Sequence, residues 1–79
     1  PLSIKVKFNY NNLIDLDKLK DALYKISIVD NYTLEEIDTN NSTFKIYYYG
    51  NPKKLSVELM RFGYKLENDQ GNWALHKYQ

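Results

Sequence analysis

The chain has 79 residues, of which 43% are hydrophobic and 27% charged, and this composition is typical of one globular domain, residues 1–79, rather than a disordered segment. It contains no cysteine, which excludes a disulfide framework, a thiolate metal site and a cysteine nucleophile. Its eleven basic and ten acidic residues leave a formal net charge of +1, which is too small for the strong field of a typical nucleic-acid binder.

The first half of the chain predicts a strand, a helix and a second strand. Residues 2–10 alternate apolar and polar side chains, which is typical of a strand with one buried face. Residues 16–26 carry apolar side chains three and four positions apart, as an amphipathic helix does, and Asp15 is the expected N-cap. Residues 32–38 are interpreted as the second strand, which ends in a polar turn at residues 38–42.

The second half predicts a third strand, a second helix and a final strand. Residues 43–49 alternate again and are expected to pair with the second strand. Asn51–Pro52 marks the start of the second helix, because Asn caps well and Pro fits the first turn, and Gly63 marks its end. A short extended segment and a turn occupy residues 64–72, and the last strand is predicted at residues 73–78. These two extended segments leave open a final strand that is doubled into a small hairpin.

The order of these elements, βαββαβ, predicts an α+β fold of the ferredoxin-like sandwich type. With right-handed crossovers, such a chain forms an antiparallel sheet in the order 4-1-3-2 with two helices on one face. The first and third predicted strands are then central. Their apolar sides are expected to pack against the helices, and their polar sides are expected to form an open face.

This open face is the candidate interaction face. It is expected to present five basic and aromatic residues: Lys5, Lys7, Lys45, Tyr47 and Tyr49. Such side chains on a sheet bind single-stranded nucleic acid by stacking and phosphate contact. The third strand, however, lacks the basic and glycine-aromatic signature of RNA-recognition domains. The sequence therefore favours a solvated or protein-contacting face, and nucleic-acid binding remains the alternative.

No pattern in the sequence predicts a catalytic, cofactor or metal site. His76 is the only histidine, and without cysteine it has no partners at metal-ligand spacing. The segment Asn51–Lys54 opens a helix with two lysines, but it has no glycine-rich loop, and capping chemistry explains its composition. Trp73 is expected to anchor the small core.

Several apolar and turn positions carry a resemblance to a known type of module. They are Leu23-x-x-Ile26-x-x-Val29, Phe44-x-Ile-x-Tyr-x-Gly50, Leu55-x-x-x-Leu59, Gly63-x-x-Leu66 and Trp73-x-Leu75. With them, the stretch Ile4–Tyr78 resembles small α/β modules of bacterial envelope proteins, in particular the C-terminal βαββαβ module of a proteobacterial family with domain-of-unknown-function status. The resemblance implies a periplasmic or membrane-associated interaction module that self-associates, and it implies no catalytic residues.

The sequence thus predicts a non-enzymatic protein-interaction or assembly module. Because the chain starts at Pro1 and not at Met, it is expected to be part of a larger protein, and its richness in Lys, Asn, Ile and Tyr suggests a bacterial source. The expected partner is another protein or a second copy. No cofactor, metal or small-molecule ligand is expected, and membrane contact is expected only through other parts of the larger protein. The periplasm or cell envelope is the expected location, with the cytoplasm left open.

Overall fold

The computed structural model describes residues 1–78, which form five strands and two helices in the order βαββαββ. The elements are β1 (Leu2–Asn9), α1 (Leu13–Lys25), β2 (Val29–Ile37), β3 (Asn41–Tyr48), α2 (Pro52–Arg61), β4 (Tyr64–Asp69) and β5 (Asn72–Lys77). The strands make one sheet in the order β2-β3-β1-β5-β4. β1 and β5 are parallel, whereas the other neighbouring pairs are antiparallel.

The sheet order corrects the prediction. The domain is α+β with two helices, but it is not a ferredoxin-like sandwich with the antiparallel order 4-1-3-2. The extended segment after α2 is a full strand, β4, at the edge of the sheet. The two-residue loop Gln70–Gly71, with φ angles of 53° and 89°, then reverses the chain. β5 therefore enters between β4 and β1 and runs parallel to β1, where a single final strand would have been antiparallel to it.

The first helix begins earlier than predicted. Asn12 is the N-cap, and its side-chain oxygen accepts a hydrogen bond from the Asp15 N–H at 3.2 Å. The Asp15 carboxylate in turn accepts a bond from the Asn11 N–H at 3.3 Å. The first bond satisfies a backbone donor that the first helical turn leaves free, and the second holds the residue before the N-cap against the helix. The prediction that Asp15 is the N-cap is therefore wrong, because this residue lies inside the first turn.

The second helix has the predicted boundaries. The Asn51 side chain caps it by accepting a bond from the Lys54 N–H at 2.9 Å, and Pro52 is its first residue. Gly63 follows the helix with a φ of 88°, a conformation that glycine adopts without steric cost. On β2, the pairing with β3 is irregular between Leu34 and Glu36, where the sequence also breaks its alternation.

The core is a single apolar layer between the sheet and the helices. Its large buried residues include Val6, Phe8, Leu19, Leu23, Phe44, Ile46, Tyr48, Leu55, Leu59 and Leu75. On β1 and β3 every second residue is buried, and the residues between them remain exposed or half-exposed. Both helices therefore cover the same face of the sheet, and the opposite face is open. Trp73 packs half-buried at the margin of this core.

Candidate functional site

The open face is the surface of the sheet opposite the helices. It brings together four of the five predicted residues on the two central strands, namely Lys5, Lys7, Lys45 and Tyr47. Tyr49 lies one residue beyond the end of β3 with its side chain 54% exposed, and its N–H donates to the Ile28 carbonyl at 2.9 Å. Tyr49 therefore flanks this face at the end of β3.

Two lysines meet in the middle of the open face. Lys5 and Lys45 stand directly opposite each other in the β1–β3 pair, an arrangement of like charges that destabilises a sheet. Two contacts reduce the cost of this repulsion but leave the two like charges opposite each other. The Lys5 Nζ lies 3.6 Å from a carboxylate oxygen of Glu35, and the Lys45 Nζ lies 5.4 Å from the centre of the Tyr47 ring. One side of the Tyr47 ring is thus occupied by a cation of the same chain.

The charges of the open face follow a pattern across the sheet. The middle carries Lys5, Lys7 and Lys45, called here the basic centre. Within residues 1–78, neither Lys7 nor Lys45 forms a salt bridge. The two outer strands carry carboxylates, called here the acidic margins: Glu35 and Glu36 on β2, and Glu67 and Asp69 on β4. A basic centre between acidic margins presents both signs of charge to a partner.

A small polar cluster lies at the β4 margin. The Lys65 Nζ is 2.9 Å from Glu67 Oε1, and His76 Nε2 is 3.7 Å from Glu67 Oε2. The hydrogen bond between Lys65 and Glu67 lowers the pKa of Glu67 and raises the pKa of Lys65. The part of the chain that the structure describes holds no group of three or more His, Cys, Asp or Glu side chains that could bind a metal ion. The cluster therefore contributes charge to the surface.

A groove opens on this face between β1 and the tip of the β4–β5 hairpin. β5 pairs with β1 only at the three residues 6–8, whereas β1 begins at Leu2. Among the described residues, the segment Leu2–Lys5 therefore has a paired strand on its β3 side only. The groove has a volume of about 660 Å³, and it is lined by Lys5, Val6, Lys7 and Thr43 on one side and by Asp69, Gly71, Asn72, Trp73 and Ala74 of the hairpin on the other. It therefore lies beside the first residues of β1 that pair with β5 and adjoins the segment Leu2–Lys5 at Lys5.

A second cleft, of about 690 Å³, lies at the other end of the β1–β5 pair. Asp15 lines it and is 6% exposed, and its carboxylate accepts a bond from the Lys77 Nζ at 3.0 Å. This bond, together with the bond from the Asn11 N–H, lowers the pKa of Asp15. The described residues contain no buried side-chain nitrogen or oxygen without a hydrogen-bond partner. The buried polar side chains of this cleft are therefore all hydrogen-bonded.

The sequence reasoning missed the pair of Asp15 and Lys77. The two residues are 62 positions apart, and α1 was predicted to begin after Asp15. One signal was present, because Lys77 follows Trp73 and Leu75 at alternating positions and thus belongs to the side of β5 that faces the helices. A lysine at such a position needs a counter-charge or a route to solvent, and Lys77 has both, because its side chain is 48% exposed and binds Asp15. The position therefore marks Lys77 as a residue that could pair with a carboxylate, but it does not identify Asp15.

Comparisons with known proteins identify no relative. No protein-family model matches the chain, and no curated protein or solved structure is significantly similar to it. Neither of the described helices is long and apolar enough to cross a membrane.

Proposed function

We propose that this domain is a non-enzymatic module that binds a protein partner through the open face of its sheet. The observation that carries the proposal is the basic centre, where Lys5 and Lys45 stand opposite each other on two central strands. This placement costs stability, and uncharged polar side chains would have solvated the face without that cost. A partner that brings carboxylates against the basic centre turns the repulsion into attraction and gains orientation from it.

The acidic margins favour a protein over a nucleic acid. A nucleic-acid strand that crosses the face would bring its phosphates against Glu36 on one side or Asp69 on the other. The Tyr47 ring, which would have to stack on a base, already has Lys45 over one side. A protein surface can present both signs of charge and match the whole pattern. The resemblance to envelope modules supports a bacterial periplasm or cell envelope as the location.

A parallel selection tests the proposal. Wild-type domain is immobilised and exposed to a random peptide-display library and to a labelled pool of single-stranded RNA. A face variant, Lys7→Glu with Lys45→Glu, is compared with a matched control, Lys18→Glu with Lys53→Glu, which makes the same charge change on the helices. We expect the wild type and the control to enrich peptides that the face variant no longer binds, and we expect no RNA enrichment.

Two results would contradict the proposal. The first is salt-sensitive RNA binding that disappears in Tyr47→Ala, because it would establish the nucleic-acid alternative. The second is equal loss of peptide binding in the face variant and the control, because binding would then depend on net charge alone. Sedimentation at increasing protein concentration adds one distinction. Self-association that the face variant abolishes would identify a second copy as the partner.

A further inference from the structure

We infer that an extended acidic segment of the partner pairs with the free edge of residues Leu2–Lys5 and continues into the adjoining groove at Lys5. The inference rests on the proposed function, and it specifies which part of the partner binds and where. It also goes further than the charge pattern, because it assigns backbone hydrogen bonds to the interaction.

The free edge is part of a strand that is already held in place. Ile4 is 6% exposed and Val6 is fully buried, so the core fixes β1 from one face of the sheet. The opposite edge of the same residues is paired with β3 from Leu2 onwards. An unpaired edge on such a strand presents backbone N–H and C=O groups in an extended geometry that an added strand can match. Four residues of strand span about 13 Å, which is enough for a short segment.

The charges around the groove select an acidic segment. Lys5 and Lys7 line its β1 wall, and Asp69 stands on the hairpin wall. Lys7 makes no salt bridge within residues 1–78, and Lys5 has one long contact to Glu35 at 3.6 Å. Carboxylates that alternate along an extended segment point to one side of it and can therefore all lie against the β1 wall.

The two outer edges of the sheet are less suitable for the same segment. The β2 edge carries Asp30, Glu35 and Glu36, and its pairing with β3 is irregular at two places. Irregular pairing and charge are both devices that protect an edge strand from added strands. The β4 edge carries Glu67 and Asp69, and the lysine of this strand, Lys65, is already paired with Glu67 at 2.9 Å. An acidic segment is repelled at both edges and attracted at the centre.

Trp73 makes the groove directly observable. It is the only tryptophan of the chain, and it lines the groove in a half-buried position. Trp73 lies in register with the buried Val6, on the helix side of the sheet, so the exposed part of its indole offers apolar surface to the uncharged side chains of the segment that point to that side. A segment that fills the groove changes the surroundings of this ring, and the fluorescence of the protein reports the change.

The experiment uses a peptide with blocked ends in which glutamate alternates with valine and threonine, and the same peptide with lysine in place of glutamate. Both are titrated into the wild-type protein while Trp73 fluorescence and the hydrogen exchange of those Leu2–Lys5 amides that point away from β3 are followed. We expect a saturable, salt-sensitive change and slower exchange with the acidic peptide only. Lys7→Glu should weaken binding about tenfold, which corresponds to roughly 1.4 kcal/mol, and the control Lys53→Glu should leave it unchanged.

Three outcomes would overturn the inference. They are the absence of a saturable change, slower exchange on β2 or β4 in place of β1, and equal weakening by Lys7→Glu and Lys53→Glu. The proposed function survives each of them if the library selection still depends on the basic centre, so the two failures are distinguishable. Concentration-dependent dimers that protect the Leu2–Lys5 amides without peptide would make a second copy the occupant and would also overturn it.

Discussion

The parallel strands β1 and β5 are anchored to neighbouring elements at their carboxyl ends, whereas at the amino end β1 extends beyond the first residue of β5. At the carboxyl end, the buried Asp15 carboxylate binds Lys77, and the Tyr10 hydroxyl donates to the Asp38 carbonyl. At the amino end, pairing with β5 stops at Val6, so the edge of Leu2–Lys5 has no partner strand on that side within the described residues. The carboxyl end, called here the closed end, includes the hydrogen-bonded side chains of Tyr10, Asp15 and Lys77. The amino end, called here the open end, is the edge of Leu2–Lys5 that has no partner strand on the β5 side within the described residues.

This difference separates stability from binding within one small sheet. Cooperative folding depends on the parts of a structure that bury apolar surface and pair their polar groups, and binding surfaces are taken from the less stable parts. The closed end has the buried and paired polar groups of a stable part, and the open end has the unpaired strand edge of a binding surface. Substitutions at the two ends should therefore differ in what they change.

The largest expected effect compares two residues of β5. Leu75 is fully buried, and Leu75→Ala should lower the free energy of unfolding by about 2–5 kcal/mol, because it leaves a cavity beneath the closed part of the sheet. Trp73→Ala removes a larger side chain, but from a half-buried position at the open end, and it should cost less. Urea denaturation measures both values. A larger loss for Trp73→Ala would mean that the open end is part of the stable core.

The second effect concerns the pH dependence of the closed end. The pKa of Asp15 lies below its ordinary value of 3.8, so the contact with Lys77 stabilises the folded state fully above that pH and is lost as the pH falls through the lower folded pKa. In Asp15→Asn this contribution is missing at every pH. The difference in urea midpoint between wild type and variant should be largest near neutral pH and should shrink in acid.

Asp17→Asn is the control for this measurement. Asp17 lies in the same helix, is exposed, and forms no salt bridge in the part of the chain that the structure describes. Its stability curve should run parallel to that of the wild type as the pH changes. If the Asp15→Asn curve also runs parallel, the carboxylate does not tie the closed end together.

A third and smaller effect concerns the other bond of the closed end. Tyr10→Phe keeps the buried ring but removes the hydroxyl that donates to the Asp38 carbonyl, and it should cost about 0.5–1.5 kcal/mol in urea denaturation. Tyr24→Phe makes the same change on a residue that is 87% exposed and should have no effect. Equal values for the two variants would show that the bond at Tyr10 does not contribute.

Local signals in the sequence predicted local structure well. The alternation of residues 2–10 predicted β1 and its buried face, and Asn51–Pro52 predicted the start of α2. The sequence prediction of the sheet order is wrong because of residues 64–72, which contain the strand β4 and the loop after it. A turn was visible there, but glutamine is an unfavourable residue for the positive φ that the tight Gln70–Gly71 loop requires, so the strand before the loop looked too short. The parallel pairing of β1 and β5 has no local signal at all.

The candidate site divides in the same way. Lys5, Lys7, Lys45 and Tyr47 were correctly assigned to one face, because alternation along each strand is enough to decide this. The groove could not be predicted, because it depends on the residue at which β5 stops pairing with β1. Such a register is set by packing between distant segments.

The smallest expected effect tests the repulsion within the basic centre. Lys45→Gln removes the like-charge pair with Lys5, a gain of about 0.2–1 kcal/mol, and it also removes the contact with Tyr47, a loss of about 0.5–1 kcal/mol. The net change in the free energy of unfolding should be small. The informative measurement is its dependence on salt, because ions screen the repulsion between exposed lysines.

Added salt should stabilise the wild type more than Lys45→Gln, and Lys53→Gln should respond as the wild type does. If the free energy of unfolding of Lys45→Gln depends on salt as that of the wild type does, repulsion between Lys5 and Lys45 does not lower the stability of the domain. The lysines of the open face would then be solvated side chains with no cost that a partner relieves, and the observation behind the proposed function would lose its force. If the difference is present, the repulsion between Lys5 and Lys45 lowers the stability of the folded domain, and a partner that brings carboxylates to the open face removes that cost.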